Sequence, residues 1–229
     1  MVTVVTCTIR DHLIDNVFDN YENQRFVEKE LIIILNNDKM DINKWRVRAK
    51  NSNNVSVFQL PEETTVGECQ NFGTNLAKYN IIAKFDDDDY YSPYYLEEQL
   101  KALENTNAAI VGKRDCYYYL EGSNTLLSTK FNLENQFVDR VMDSSLMFRK
   151  DIISSIPFPK DNIYYDNRFQ KLCRTNGLKI FSTRKENYVV VRRQDKKTHS
   201  WGIKDSILKD MCNNLGKMDN YKDYVTKPV

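Results

Sequence analysis

The first hundred residues alternate between short apolar runs and segments with helical spacing, and this alternation constrains the fold more than any other feature. The apolar runs are rich in β-branched residues, as in VTVVTCT at 2–8 and IIAKF at 81–85. Between them, apolar residues such as Leu13, Ile14 and Val17 recur on one helical face. Strands that alternate with helices predict an α/β fold with a mostly parallel, doubly wound sheet.

Polar residues gather where the predicted strands end. They are Thr8, Arg10, Asn36, Asn37 and the run Asp86, Asp87, Asp88 and Asp89. In doubly wound sheets, ligands bind beyond the carboxyl ends of the strands. The sequence therefore predicts one binding rim that is shared by several loops.

The stretch AKFDDDDYYSP places four aspartates directly after a buried strand. Alternation along an extended chain puts Asp86 and Asp88 on one side and Asp87 on another. At an effective dielectric of about 20, the repulsion between two such carboxylates costs on the order of a few kcal/mol. A hard divalent cation relieves this repulsion, and Mg²⁺ or Mn²⁺ held by few carboxylates completes its shell with phosphate oxygens and water. The cluster thus indicates a substrate that carries a diphosphate.

Three other interpretations of the aspartates stay open at this point. The first is a solvated acidic turn without a ligand. The second is a calcium loop of the EF-hand type, which needs Gly at the sixth position and Glu at the twelfth. Counting from Asp86, these positions are Tyr91 and Glu97, so only one fits. The third is an aspartyl nucleophile of a phosphatase, but that motif usually comes early in the chain.

Composition and charge exclude several classes of protein. The 229 residues suit one domain, and a hydrophobic content of 41% supplies a core. Lys+Arg 33 against Asp+Glu 32 disfavours a general nucleic-acid-binding protein. Five cysteines without a C-x-x-C pair indicate free thiols in a reducing compartment. With no signal-peptide pattern and no apolar stretch near the roughly 20 residues that span a bilayer, we expect a cytoplasmic protein without a transmembrane segment.

The later segments have mixed patterns. AAIVGKRDCYYYLEGSNTLLSTKF predicts strands with a turn at EGSN, and SSLMFRK, LKIFST and NYVVVRR predict further strands. YYDNRFQKLCRTNG predicts a helix that ends at Gly177. The tail from Asp205 to Tyr224 is predicted to be helical.

The motifs VTVVTCTIR, ELIIILNND, GECQNFGTNLA and IIAKFDDDDYYSPYYL together resemble those of family 2-type glycosyltransferases with the GT-A fold. The small bacterial members associated with spore-surface and cell-envelope polysaccharides are the most similar. The resemblance covers about the first hundred residues well and continues more weakly to His199. It implies a Rossmann-like three-layer sandwich with a mostly parallel central sheet.

The resemblance also implies how residues 1–229 are organised. They form a single GT-A domain with a nucleotide-sugar-binding half at 1–92 and an acceptor-binding half at 93–204. Residues 205–229 form a C-terminal helical tail.

The roles of the nucleotide-binding residues follow from the resemblance. Thr8 and Arg10 would line the nucleotide pocket, and Asn36 or Asn37 would meet the base where relatives often have Asp. Gly67 and Asn71 match a G…N element beside the nucleotide.

The resemblance also divides the aspartates by role. Asp88 is the expected ligand of Mn²⁺ or Mg²⁺, and Asp86 lies nearer the ribose. Asp87 belongs to the nucleotide site. Asp87 and Asp89 either adjust the local electrostatic field or bind the acceptor. A late histidine often completes metal or diphosphate binding in GT-A enzymes, which assigns this role to His199.

Inverting sugar transfer needs a base that takes a proton from the acceptor hydroxyl. Relatives have an acidic residue at the position of Asp166, which is our predicted base, although Asp also favours a first helical turn for its capping alone. Asp143 is the runner-up, with a turn or a hydrogen bond under the acceptor as its other interpretation. The basic residues Arg192 and Arg193 either offset diphosphate charge or belong to a solvated loop.

The sequence predicts a metal-dependent inverting glycosyltransferase. Its donor is a nucleoside-diphosphate sugar, with a UDP-sugar as the default, and its acceptor is a saccharide, a glycolipid or a protein. One alternative is a nucleotidyltransferase, which usually has a glycine-rich phosphate loop that TCTIRDHLI lacks. The other is a sugar- or nucleotide-binding module of the same fold without catalysis.

Overall fold

The computed structural model describes residues 1–195 and 202–229. Thirteen strands are assigned in the described chain, in two sheets. Those of the larger sheet are β1 (Val2–Thr8), β2 (Lys29–Leu35), β3 (Val55–Gln59), β4 (Ile81–Lys84), β6 (Ile110–Lys113), β9 (Gln136–Val138), β10 (Met147–Arg149) and β11 (Ile180–Thr183). Those of the smaller sheet are β5 (Tyr90–Tyr91), β7 (Tyr117–Leu120), β8 (Thr125–Ser128), β12 (Tyr188–Arg192) and β13 (Asn213–Lys217). The helices are α1 (Ile14–Glu22), α2 (Ile42–Ala49), α3 (Val66–Leu76), α4 (Tyr95–Asn105), α5 (Asp151–Ser155), α6 (Tyr165–Thr175), α7 (Asp205–Met211) and α8 (Tyr221–Val225).

The larger sheet has the strand order β3-β2-β1-β4-β10-β6-β11-β9. Strands β10 and β9 run antiparallel to their neighbours, and the other six share one direction. The predicted mostly parallel sheet is therefore confirmed. Because β1 and β4 are adjacent and parallel, their carboxyl ends bring Thr8 and the aspartates to one edge.

Helices cover both faces of this sheet. Leu31 and Ile33 of β2 belong to one apolar cluster, which also contains residues of α1, α2 and α4. The alternate residues Ile32 and Ile34 belong to a second cluster with residues of α3, α5 and α6. This alternation of strand residues between two helical layers confirms the three-layer sandwich.

The smaller sheet has the order β13-β8-β7-β12-β5. Its short edge strand β5 follows the aspartates directly and pairs antiparallel with β12, with Tyr91 opposite Tyr188. This pairing brings a strand from late in the chain next to the aspartate run. The turn predicted at EGSN lies between β7 and β8, as expected.

Two local predictions need correction or completion. The tail is not wholly helical: α7 and α8 flank β13, which pairs antiparallel with β8. Residues 213–217 have little strand propensity, and pairing with an existing sheet edge decides their conformation. The structure adds α2 in the polar stretch around Trp45, where Asp41 accepts hydrogen bonds from the first-turn N–H groups and Trp45 is fully buried.

None of the helices in the described ranges is long and apolar enough to cross a membrane.

Candidate active site

The aspartate run leaves β4 and turns, so that three of its four carboxylates converge. Oxygen atoms of Asp86, Asp88 and Asp89 all lie within 4.8 Å of one another. The sequence pattern predicted the convergence of Asp86 and Asp88, and the turn at 87–89 adds Asp89. Carboxylate oxygens at this spacing are the ligands that Mg²⁺ and Mn²⁺ prefer, so the residues fit a hard divalent cation.

Asp87 points away from this cluster, toward the end of β1. Its carboxylate, which is buried, accepts a hydrogen bond of 2.5 Å from Thr8 Oγ1 and one of 3.0 Å from Arg10 Nε. A second guanidinium nitrogen of Arg10 pairs with Oδ1 of Asp87. Asp87 thus ties the loop after β1 to the loop after β4. Its predicted contact with the nucleotide stays a prediction.

Arg10 also reaches the carboxylate cluster, because its third guanidinium nitrogen lies 2.9 Å from Oδ2 of Asp88. Burial and then the charge of Asp87 raise the pKa of Asp88 to about 6, although Arg10 opposes this shift. Burial and neighbouring negative charge disfavour the ionised form of a carboxyl group, and a bound cation offsets this cost. The position of Asp88 in the cluster fits a metal ligand, and its predicted role as one stays a prediction.

The backbone of the aspartate turn is held by α1. Asn16 Nδ2 donates to the carbonyl oxygens of Asp87 (2.8 Å) and Asp89 (3.1 Å), and Asn20 Nδ2 donates to that of Asp89 (2.8 Å). The Asp89 carboxylate accepts from Tyr188 Oη at 2.5 Å and from the Val191 N–H at 3.2 Å. These contacts fix the turn between α1 and β12.

A buried lysine connects the cluster to the second half of the chain. Lys84, the last residue of β4, lies with its ammonium nitrogen 2.5 Å from Oδ1 of Asp86 and 2.8 Å from Oδ2 of Asp143. The same oxygen of Asp143 accepts a hydrogen bond of 2.5 Å from Tyr165 Oη at the start of α6. Burial alone would lower the pKa of Lys84, but the charges of Asp143 and Asp86 hold it well above its ordinary value.

The two candidate bases are Asp143, which contacts Lys84, and Asp166, which follows Tyr165 in α6. Burial raises the pKa of Asp143 to about 6 against the opposing charge of Lys84, and its buried Oδ1 has no hydrogen-bond partner among residues 1–195 and 202–229. Asp166 is half-buried in the first turn of α6, and burial raises its pKa as well. The charge of Asp166 is one of the smaller causes that raise the pKa of Asp143.

The remaining residues predicted to contact the nucleotide make other contacts. Asn36 is buried and donates to the carbonyl oxygen of Pro61 at 2.7 Å, whereas Asn37 is half-buried at the rim. Asn71 both donates to and accepts from the backbone of Phe158, at 2.8 and 2.9 Å.

Gly67 lies close to residues 159–161. A Cβ at this position would meet the carbonyl oxygen of Pro159 at 1.9 Å. Gly67 and Asn71 thus anchor the segment 158–161 to α3, and their role beside the nucleotide stays a prediction.

The predicted late metal ligand His199 lies outside the described residues. Of the nearby basic residues, Arg192 is 2% exposed and donates to the carbonyl oxygen of Ile203 at 2.7 Å. It therefore does not lie in a solvated loop, and its predicted role in offsetting diphosphate charge stays a prediction. Arg193 is half-buried and lies 3.4 Å from the carbonyl oxygen of Asp88.

Sequence reasoning missed Lys84 and Tyr165 as parts of the site. A signal for Lys84 was present, because a lysine inside the apolar run IIAKF must be buried with a counter-charge or lie at the end of the strand. No local pattern pairs Tyr165 with Asp143, because that contact depends on how α6 packs.

Comparison with known proteins agrees with this geometry. The chain matches the family model "Glycosyl transferase family 2" over residues 3–169 and belongs to this family. A curated relative, the O-antigen biosynthesis glycosyltransferase WbnJ of Escherichia coli, is 28% identical over 162 residues, which are 67% of this chain and 63% of the relative. The chain thus spans less than two thirds of the length of this relative.

Solved structures show the same fold at low identity. S. aureus TarS 1-349 in complex with UDP-GlcNAc has a TM-score of 0.66 at 13% identity, over 92% of this chain and 64% of TarS 1-349. The mannosyltransferase PcManGT from Pyrobaculum calidifontis, in complex with GDP-Man and Mn²⁺, has a TM-score of 0.64 at 16% identity, over 86% of this chain and 58% of its own. The fold is therefore of the GT-A type.

Proposed function

We propose that this protein is a metal-dependent, inverting glycosyltransferase that moves a sugar from a nucleoside-diphosphate donor to an acceptor hydroxyl. The observation that carries the proposal is the convergence of the Asp86, Asp88 and Asp89 carboxylates at the carboxyl ends of β1 and β4. Family membership supports it, as do two solved GT-A structures that hold UDP-GlcNAc or GDP-Man. A UDP-sugar is the default donor.

Asp88 and Asp86 would hold a Mn²⁺ or Mg²⁺ ion, which when bound supplies a Lewis acid for the departing diphosphate. Asp89 is the less available ligand, since Tyr188 and Val191 already use its carboxylate. Arg10 and Lys84 limit the repulsion among the carboxylates before substrate arrives.

The acceptor hydroxyl attacks the anomeric carbon from the face opposite the diphosphate. One carbon–oxygen bond forms as the bond to the phosphate oxygen breaks, and the hydroxyl proton passes to the base. We assign this role to Asp166, whose raised pKa brings it nearer the working pH of a proton acceptor. Asp143, tethered to Lys84 and Tyr165, positions the start of α6 and stays the second candidate.

Release of nucleoside diphosphate from a panel of sugar nucleotides, with Mn²⁺, Mg²⁺ or EDTA, tests this proposal. We expect turnover of one donor that EDTA abolishes and that falls at least about a hundredfold in Asp88→Asn and Asp166→Asn. Asp139→Asn is the matched control, because this side chain is 88% exposed. Release of pyrophosphate from a nucleoside triphosphate would instead support a nucleotidyltransferase, and nucleotide binding without turnover a non-catalytic module.

A further inference from the structure

Six non-glycine residues of the described chain have a positive φ, and one of them is not an asparagine. The asparagines are Asn54, Asn124, Asn132, Asn135 and Asn187. The exception is Tyr164, with φ 60° and ψ 12°. Asparagine tolerates this left-handed conformation, whereas a bulky side chain is strained there. A tyrosine at this position therefore indicates that its side chain has a role that offsets the backbone strain.

Packing does not supply that reason. Tyr164 is 67% exposed, as is its neighbour Ile163. The backbone carbonyl of Tyr164 accepts the first hydrogen bond of α6, from the N–H of Arg168 at 3.0 Å. Within residues 1–195 and 202–229, no hydrogen bond, ring contact or cation contact is assigned to its side chain. Strain that the fold does not offset is characteristic of functional positions.

The position of Tyr164 in the chain connects it to the site. The next residue, Tyr165, binds Asp143, which in turn binds Lys84 beside Asp86. The residue after that is Asp166, so the Cα atoms of Tyr164 and Asp166 are separated by at most about 7.6 Å. The two side chains therefore leave the backbone from neighbouring positions.

We propose that Tyr164, flanked by Ile163, is the platform on which a pyranose ring of the acceptor stacks. The apolar C–H face of a pyranose covers an aromatic ring and removes apolar surface from water on both partners. A ring stacked on Tyr164 would lie beside the first turn of α6, which carries Asp166. This inference rests on the proposed function and adds the class of acceptor and the residue that binds it.

Saturation-transfer NMR with methyl pyranosides of glucose, galactose, N-acetylglucosamine and rhamnose, in the presence of UDP and the diamagnetic ion Mg²⁺, tests the proposal. We expect at least one glycoside to receive saturation on its ring C–H protons from the wild type and from Tyr164→Phe. In Tyr164→Asn the affinity for that glycoside should fall about tenfold, with the UDP signals unchanged. Tyr224→Asn is the control, since Tyr224 is also exposed but lies on α8.

The same Tyr164→Asn variant separates binding from a structural role. Asparagine suits the left-handed backbone, so the melting temperature of this variant should rise by about 2 °C while its affinity for the glycoside falls about tenfold. A lower melting temperature, or unchanged glycoside saturation, would overturn the proposal. Absence of saturation on every glycoside from the wild type with UDP bound would overturn it too. Failure of UDP and other nucleoside diphosphates to bind would instead refute the proposed function.

Discussion

Replacing Lys84 by methionine should show how strongly the buried ammonium couples the two halves of the site. Removal of one partner of a fully buried ion pair costs about 3–5 kcal/mol. The Lys84 side chain is 4% exposed, but those of Asp86 and Asp143 are 36% and 28% exposed. Water can therefore solvate the carboxylates that are left behind, and we expect Lys84→Met to lower the free energy of unfolding by about 2 kcal/mol.

A double-mutant cycle assigns this loss to the ion pair itself. In an Asp143→Asn background, Lys84→Met should cost at least about 1 kcal/mol less than in the wild type, because the Asp143 charge is already absent. Urea unfolding of the four proteins in EDTA, followed by tryptophan fluorescence, measures the coupling. Lys101→Met is the control, because its ion pair with Glu97 is exposed and should contribute less than about 1 kcal/mol. Additive effects of the two substitutions would show that the ion pair between Lys84 and Asp143 does not stabilise the fold.

Three further predictions test individual contacts and the shifted pKa of Asp143. The pKa of Asp143 in the folded state, about 6, lies above its ordinary value of 3.8, so the contribution of this carboxyl to stability is complete below about pH 4 and is lost as the pH rises through 6. The unfolding free energy of Asp143→Asn relative to that of the wild type should therefore increase by up to about 3 kcal/mol between pH 4 and pH 7. A difference between the two proteins in urea unfolding that stays the same at every pH would contradict the raised pKa of Asp143. Gly67→Ala should lower that free energy by about 3 kcal/mol, because the new Cβ would meet the Pro159 carbonyl oxygen at 1.9 Å, and calorimetry showing no loss would contradict this packing. Thr8→Val removes the hydroxyl donor to the Asp87 carboxylate and should cost about 2 kcal/mol in urea unfolding, whereas Thr8→Ser should restore most of it.

The sequence predicted the elements whose pattern is local. The runs that became β1 and β4 are apolar and β-branched, and parallel pairing necessarily puts their carboxyl ends at one edge. The prediction that Asp86 and Asp88 share a side is confirmed, although a turn rather than an extended strand brings them together.

Contacts between distant segments could not be predicted from such patterns. The residues of β13 have little preference for a strand and adopt one because β8 offers a free edge. The hydrogen bonds of Asp87 with Thr8 and Arg10 depend on a turn, and a run of four identical residues does not specify where that turn lies. The tether from Lys84 to Asp143 joins residues 59 positions apart, and only the packed sheet brings them together.

The central claim is that the convergent aspartates bind a nucleoside diphosphate through a divalent cation. Isothermal titration of the protein with UDP, GDP, CDP and dTDP, with and without Mn²⁺, tests it most directly, with Asp88→Ala measured in parallel and Asp139→Ala as the exposed control. We expect one diphosphate to bind only when Mn²⁺ is present, and this binding to be lost in Asp88→Ala alone. Binding that is independent of Mn²⁺ or unaffected by Asp88→Ala, or no binding of any of the four, would contradict the account.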